Sequence, residues 1–285
     1  FSVNLRGSTP RNLMPCVEGD RFYLISLCQD VGYFKTALGY SVYQQLGLFP
    51  MHYRFVQLHV NSENWGLYMQ VERPQDALVG RFKGIRSLIR RGNDLNESQV
   101  EGWVGRAYGL QIELDEVKIG NTRNLQTDQG YLAYSALVRF VEELADSASS
   151  SATRDGPAVL DMLMARLDVD GLLKYVAMSS AFKNGDITDE VFFYGTRNNQ
   201  GWYFHLHAWD PSDIADSCHH GGAFAWQDPY GLAYCVEGRL ERALLRIPQV
   251  YKRYVEVLEL LLNEWHGEAI ATVLDNVYCS MKQVI

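Results

Sequence analysis

Apolar and polar positions change their period partway along the chain. In the stretch Arg54-Phe55-Val56-Gln57-Leu58-His59-Val60, the residues Val56, Leu58 and Val60 alternate with Phe55, Gln57 and His59. Asn61-Ser62-Glu63-Asn64 supplies a polar turn, and alternation resumes from Trp65 to Glu72 until Pro74 breaks it. That pattern predicts a β-hairpin. Ser2 to Leu5 and Arg86 to Arg90 are shorter strand candidates, the first ending in the turn-like Arg6-Gly7-Ser8-Thr9-Pro10, and residues 11–21 show no period. Between them, Gly32 to Leu46 has the spacing of a helix, with Phe34, Leu38, Val42 and Leu46 on one stripe and Gly47 as its stop. The first part of the chain is therefore expected to form a mainly antiparallel sheet with one helix beside it.

From Thr127 onward the period becomes helical. Tyr131, Tyr134, Leu137, Val138 and Val141 form a stripe that should end in the loop Asp146 to Ser151. Pro157 suits the first turn of a second helix, to about Leu167. Asp168 or Asp170 can cap a third, running to Phe182 through Leu172, Leu173, Val176 and Ala177. Val191 to Tyr194 and Trp202 to Ala208 read as a small two-stranded insert joined by the turn Arg197 to Gly201. The remainder reads as helical, with Leu240, Leu244, Tyr251, Val255, Leu258 and Leu262 as its apolar positions. Sheet plus helix, then helices around a hairpin, is an α+β order with segregated halves. The boundaries this predicts are a sheet-rich part over 1–92, a connecting segment over 93–127, and a helical part carrying the hairpin over 128–285.

Composition narrows the function classes. With 285 residues and 47% hydrophobic content the chain can bury a full core, and its net charge of −8 argues against nucleic acid, whose binders carry a basic stripe. An acidic surface is compatible with basic protein partners. No apolar run approaches the roughly 20 residues that span a bilayer. The five cysteines, Cys16, Cys28, Cys218, Cys235 and Cys279, are widely spaced and contain no CxxC, which leaves one or two disulfides or all free thiols open.

The densest polar cluster brackets the insert. Lys183-Asn184-Gly185-Asp186-Ile187-Thr188-Asp189-Glu190 precedes its first strand and Trp209-Asp210-Pro211-Ser212-Asp213 follows its second. A hairpin returns its ends to one edge, so these carboxylates should lie close together. Grouped carboxylates repel one another unless a hard cation with oxygen ligands offsets the charge, and Mg²⁺ with a nucleotide fits that need. Phosphoryl transfer asks for a carboxylate to orient the attacking hydroxyl, oxygen ligands for the metal, and positive charge on the phosphates. The plainer reading is that turns favour Asp and Asn.

The residues Asn184-Gly185-Asp186, the aromatic strand ending at Tyr194, Trp202-Tyr203-Phe204 and Trp209-Asp210 resemble the signature of the spore coat protein H (CotH) kinase family. Leu5-Arg6-Gly7-Ser8 resembles its opening Arg-Gly motif, and the helix at Tyr33 to Leu46 matches its segment with a basic residue, here Lys35. His59 to Tyr68 resembles its glycine-containing hairpin, which leads to Glu72. Leu167-Asp168-Val169-Asp170 before a helix and Leu244 to Leu262 fit as well. The resemblance implies a two-lobed, protein-kinase-like fold and an ATP-dependent phosphotransferase that uses Mg²⁺ or Mn²⁺ on Ser or Thr of a protein, basic or Ser-rich. It implies Asp186 as the catalytic-loop aspartate and Asp210 as the metal-binding aspartate. Lys35, Glu72 and Arg90 would form the charge set facing the phosphates, and Trp209 would lie against the nucleobase. Each of these four also has an ordinary structural role open to it. Spore coat, cell surface or secretion is the implied location.

The chain departs from the family pattern at three places. Glu190 stands where the family has a metal-binding Asn, Ser212 stands at its second Asp unless Asp213 takes over, and the segment after Arg11 is about ten residues short and lacks the Lys-containing run. These departures keep a second reading alive, a catalytically impaired pseudokinase that binds at a coat or cell surface, since a fold does not determine a function. A zinc site from His205, His207, Cys218, His219 and His220 is a third reading, drawn from spacing alone.

Overall fold

A computed structural model describes residues 2–4, 21–30, 32–48, 51–82, 84–91, 107–109, 128–149, 157–187, 190–218, 231–236 and 238–285. The opening Arg-Gly motif, the short segment after Arg11, nearly all of the connecting segment, Thr188, Asp189, His219 and His220 lie outside these residues. The chain is α+β, as the change of period predicts, and divides into two compact units: Phe1–Lys83 with Trp265–Ile285, and Gly84–Glu264.

The first unit holds an antiparallel sheet of order β1-β2-β4-β3, formed by β1 (Ser2–Asn4), β2 (Arg21–Ile25), β3 (Tyr53–Val60) and β4 (Glu63–Glu72). The predicted hairpin is present, with a tighter turn than the four polar residues indicate. Only Asn61 and Ser62 are in the turn, both at positive φ (51° and 69°), the backbone of a two-residue turn whose twist matches the strands. Beyond it the register skips Trp65, so that Leu58 pairs with Gly66 and His59 with Asn64, and Gly66 adopts φ 92° at this bulge. Strand β2 begins at the last residue of the aperiodic stretch 11–21 and was not predicted. Its residues Phe22, Tyr23, Leu24 and Ile25 form a continuous apolar run, so alternation could not reveal it.

Helix α1 (Lys35–Leu46) follows its predicted limits closely. Buried Asp30 accepts hydrogen bonds from the N–H groups of Phe34 (3.1 Å) and Thr36 (3.1 Å), filling two of the donors a helix start leaves open. Gly47 ends the helix at φ 71°, its N–H donating to the Gln44 carbonyl and that of Leu48 to the Tyr43 carbonyl. The buried face is broader than the predicted stripe: Tyr40 and Tyr43 join Leu38 and Val42, whereas Phe34 is exposed. Pro74 breaks β4 as expected and also opens an unforeseen helix α2 (Pro74–Arg81), because proline suits a first helical turn.

The second unit holds a sheet of order β6-β5-β7-β8, built from β5 (Ser87–Arg90), β6 (Ala107–Gly109), β7 (Val191–Asn198) and β8 (Gly201–Ala208). Two expectations are corrected here. The strand ending at Arg90 does not join the first sheet; it pairs antiparallel with β7, Leu88 opposite Tyr194 and Arg90 opposite Phe192. The hairpin is thus not an isolated insert but half of a four-stranded sheet, and its strands run on to Asn198 and from Gly201, leaving Asn199 and Gln200 as the turn. Interleaved with it are helices α3 (Asp128–Ser149), α4 (Pro157–Arg166), α5 (Val169–Ala181), α6 (Arg239–Leu245) and α7 (Pro248–Glu264).

Asp168 caps α5, its carboxylate accepting from the Gly171 N–H at 3.1 Å. Helix α5 is the buried centre of the unit, packed on α7 and β8. Helix α3 continues through Asp146 to Ser149, which were expected in a loop; Ala148 is buried there and anchors the extra turn. On α7 the buried stripe is Val250, Tyr254, Val257, Leu258 and Leu261, so Leu262, expected inward, is exposed. The last helix, α8 (Gly267–Lys282), packs on α1 and β3 in the first unit.

Among the described residues, nothing beyond its own chain neighbours stands within 4 Å of the Cβ that Gly47 lacks, so replacing it tests chiefly backbone conformation. Gly47→Ala should lower stability by about 1–2 kcal/mol, the cost of a left-handed L-residue. A thermal melt checks this, and an unchanged midpoint would show that α1 can end another way.

Candidate active site

The turn that carries Asp186 begins where α5 unwinds. Lys183 takes a left-handed conformation (φ 49°), and the Asn184 N–H closes back on the Ser179 carbonyl at 2.8 Å. Asn184 is fully buried, and its side-chain oxygen accepts from the Asp186 N–H at 3.2 Å, so the residue two positions ahead holds the aspartate's own backbone. This turn is laced to the segment after β8 by three backbone hydrogen bonds: Gly185 N–H to Asp213 O (2.9 Å), Ala215 N–H to Phe182 O (2.9 Å) and Asp216 N–H to Lys183 O (3.1 Å). One pair beyond the β7–β8 ladder, the Trp209 N–H donates to the Glu190 carbonyl at 2.9 Å. The two acidic segments at the ends of the hairpin are thereby joined.

That lacing explains why the turn reads Asn-Gly-Asp. A Cβ on Gly185 would stand 2.1 Å from the Ser217 carbonyl oxygen and 2.9 Å from its carbon. Both are backbone atoms, which cannot swing aside, so only glycine allows the two segments to approach this closely.

Within this region Asp186 and Asp210 are half-buried, while Glu190 and Asp213 are buried. Ser212 donates its hydroxyl to Asp213 Oδ2 at 2.8 Å. The side-chain donors at these four acidic positions are all carboxylate oxygens, the chemistry a hard divalent cation takes. Among the described residues, no three or more His, Cys, Asp or Glu side chains converge as a metal cage. Mg²⁺ does not need one, because it is usually held by one or two carboxylates together with substrate phosphates and water. The carboxylates of Asp186, Glu190, Asp210 and Asp213 are of the donor type such a nucleotide-borne cation takes.

Trp209 is half-buried and meets Phe192 edge to face, with ring centroids 6.4 Å apart. Arg90 ends β5 opposite Phe192, in the same sheet as the hairpin. Lys35 and Glu72 belong to the first unit. Lys35 is the first residue of α1, and the buried carboxylate of Glu72 pairs with Arg81 on α2 and accepts from the His52 N–H at 2.6 Å. Burial pushes the His52 imidazole below its usual pKa; Glu72 opposes that and Arg81 adds to it.

Two fastenings had no signal in the sequence. Arg91, next to the predicted Arg90, is buried against Glu241, which stands 150 positions later, and reaches the Ile187 carbonyl beside Asp186. Cys218 and Cys235 form a disulfide, which ties the segment after Asp216 to the approach to α6. Their spacing carried no motif, so sequence left this pairing open.

The disulfide also corrects the zinc reading, since Cys218 has no thiolate to offer. His205 is engaged elsewhere: its ring stacks on Tyr194 (centroids 4.7 Å apart) and its Nδ1 lies 3.7 Å from Asp168. The His205 imidazole, more than any other neighbour, holds the Asp168 carboxyl below its ordinary range, whereas burial pushes the Tyr194 hydroxyl up to about 12.

A kinase-like α+β fold, with a hairpin whose two ends bring acidic turns together, defines the class of this protein. The family model for the CotH kinase protein matches residues 3–270, and the chain belongs to that family. A search of the curated proteins found no match.

Gly185→Ala should force the Asp186 turn away from residues 216–217 and cost about 1–3 kcal/mol by overpacking. A melting temperature equal to that of the wild type would mean that these segments are not in contact.

Proposed function

We propose that this chain transfers the γ-phosphoryl group of ATP to a Ser or Thr hydroxyl of a protein substrate, with Mg²⁺ or Mn²⁺. The observation that carries the reading is the lacing of the Asn184-Gly185-Asp186 turn to the segment that follows Asp210, in a chain of the CotH kinase family. Asp186 orients the acceptor hydroxyl and takes its proton as the oxygen attacks the γ-phosphorus; the bond from that phosphorus to the β,γ-bridging oxygen breaks and ADP leaves. Asp210, with Glu190, holds the metal, which when bound neutralises charge on the phosphates. Arg90 acts on the phosphate side, and Trp209 on the nucleobase. The net charge of −8 supports a basic acceptor protein. The Cys218–Cys235 disulfide supports a cell-surface, spore-coat or secreted location, since disulfides persist in oxidising compartments.

One observation favours a second reading. Glu190, in the place of a neutral metal ligand, is buried, and Ser212 spends its hydroxyl on Asp213, so the metal site carries a different charge from the family pattern. A pseudokinase that binds through this fold at a coat or cell surface is consistent with that.

Incubation with γ-labelled ATP, Mg²⁺ or Mn²⁺ and basic acceptor proteins separates the two. The transferase reading expects label on Ser or Thr, lost on chelation and reduced about 10²–10⁴-fold in Asp186→Ala. Asp210→Asn should weaken the metal dependence as well as the rate. A thermal shift with Mg-ATP but no label would favour the binding protein, because a ligand stabilises the state it binds. Equal label from wild type and Asp186→Ala would remove Asp186 from the mechanism.

A further inference from the structure

The carbonyl oxygen of Ile187, one residue beyond Asp186, receives two side-chain donors. Arg91 Nη2 lies 2.8 Å from it and the hydroxyl of Tyr175, on α5, lies 3.1 Å from it. The other terminal nitrogen of Arg91 is bonded to the Glu241 carboxylate on α6, and the guanidinium carbon stands 6.0 Å from the centroid of the Phe193 ring on β7. The Arg91 N–H donates to the Val191 carbonyl at 3.2 Å, where the chain leaving Asp186 enters β7. One residue therefore touches the end of β5, the Asp186 turn, β7 and α6. Its side chain is 1% exposed and that of Glu241 is 0%.

Room for this arrangement is built into the backbone. A Cβ on Gly238, the residue before α6, would stand 2.0 Å from Glu241 Oε2 and 3.3 Å from Arg91 Nη1. A planar guanidinium can serve two acceptors in set directions at once, which a lysine ammonium does not reproduce. Charge-assisted hydrogen bonds away from water are also the strong ones.

We infer that Arg91, seconded by Tyr175, is the positioning residue of the active site: by holding the Ile187 carbonyl it sets the stretch of backbone from which Asp186 projects. It acts through Asp186 and not on the substrate, and the inference rests on the reading of Asp186 as the catalytic carboxylate. Arg91 could otherwise be a purely structural tie between β5 and α6. The second donor separates these roles, because Tyr175→Phe removes a bond to Ile187 and leaves the Arg91–Glu241 pair intact.

The test uses the full chain in four forms: wild type, Tyr175→Phe, Arg91→Lys, and the double variant Arg91→Met with Glu241→Leu. The double variant is included because a buried ion pair replaced on both sides by apolar groups often keeps the fold, whereas loss of one partner often does not. Amide hydrogen exchange over residues 183–190 should accelerate about tenfold in Arg91→Lys and in the double variant, and less in Tyr175→Phe, without a matching change across the rest of the second unit. In the same variants kcat should fall about 10²-fold for Arg91→Lys and about threefold for Tyr175→Phe, while KM for ATP stays as in wild type. Unchanged exchange over 183–190, or a fall in kcat that merely follows global unfolding, overturns the inference. If Arg91→Lys does not fold, the double variant and Tyr175→Phe decide by the same measures. If the wild type transfers no phosphate, the functional reading fails and takes the catalytic part of the inference with it; the exchange data then decide only whether Arg91 and Tyr175 hold the Ile187 backbone.

Discussion

Arg91 and Glu241 face each other where water does not reach, and the end of β5, the Asp186 turn, β7 and α6 meet at that pair. Moving two charges out of water is expensive, and their attraction repays it only where the remaining donors and acceptors are also satisfied. Here the guanidinium finds the Ile187 carbonyl as well as the carboxylate, with the Phe193 ring beside it, while Glu241 Oε2 is buried with no hydrogen-bond partner among the described residues. Removing either partner would leave a charge buried without compensation, at about 3–5 kcal/mol. That is a large share of the margin by which a domain is stable. Among the elements it joins is the turn that carries Asp186.

Around that pair the site is assembled largely from backbone. Hydrogen bonds from Gly185, Ala215 and Asp216 stitch the turn after α5 to the segment after β8, and Trp209 to Glu190 closes the hairpin's open end. A backbone-built site suits phosphoryl transfer, in which positioning and charge placement matter more than covalent help from the protein. It also explains why glycine is required at 185, where the opposing chain leaves no space for a side chain. Asn184 reaches the Asp186 N–H from inside the core, which links the carboxylate's placement to the packing of α5.

Much of this was legible in the sequence because it depends on local pattern. Alternation around Asn61-Ser62, the helix ending at Gly47, an aspartate cap at Asp168 or Asp170 and the hairpin flanked by Asp186 and Asp210 each follow from neighbours along the chain, and the structure selects Asp168 as the cap. What was not legible depends on partners far apart or on patterns that hide. Strand β2 is apolar at four successive positions and gives no period. Strand β5 is too short to declare its sheet, and only pairing with β7 assigns it there. Arg91 differs from Arg90 by one position, and its acceptor Glu241 is 150 residues away. The Cys218–Cys235 bond likewise crosses 17 positions with no motif.

The proposed function requires the ends of one hairpin to hold a nucleotide-borne metal beside Asp186. A structure of the protein with ADP or a non-hydrolysable ATP analogue and Mn²⁺, whose anomalous signal identifies the ion, tests this directly. The metal is expected in direct contact with an Asp210 oxygen, with Glu190 on the same ion and the terminal phosphate facing Asp186. Nucleotide bound away from these residues, or metal bound without Asp210, would contradict it.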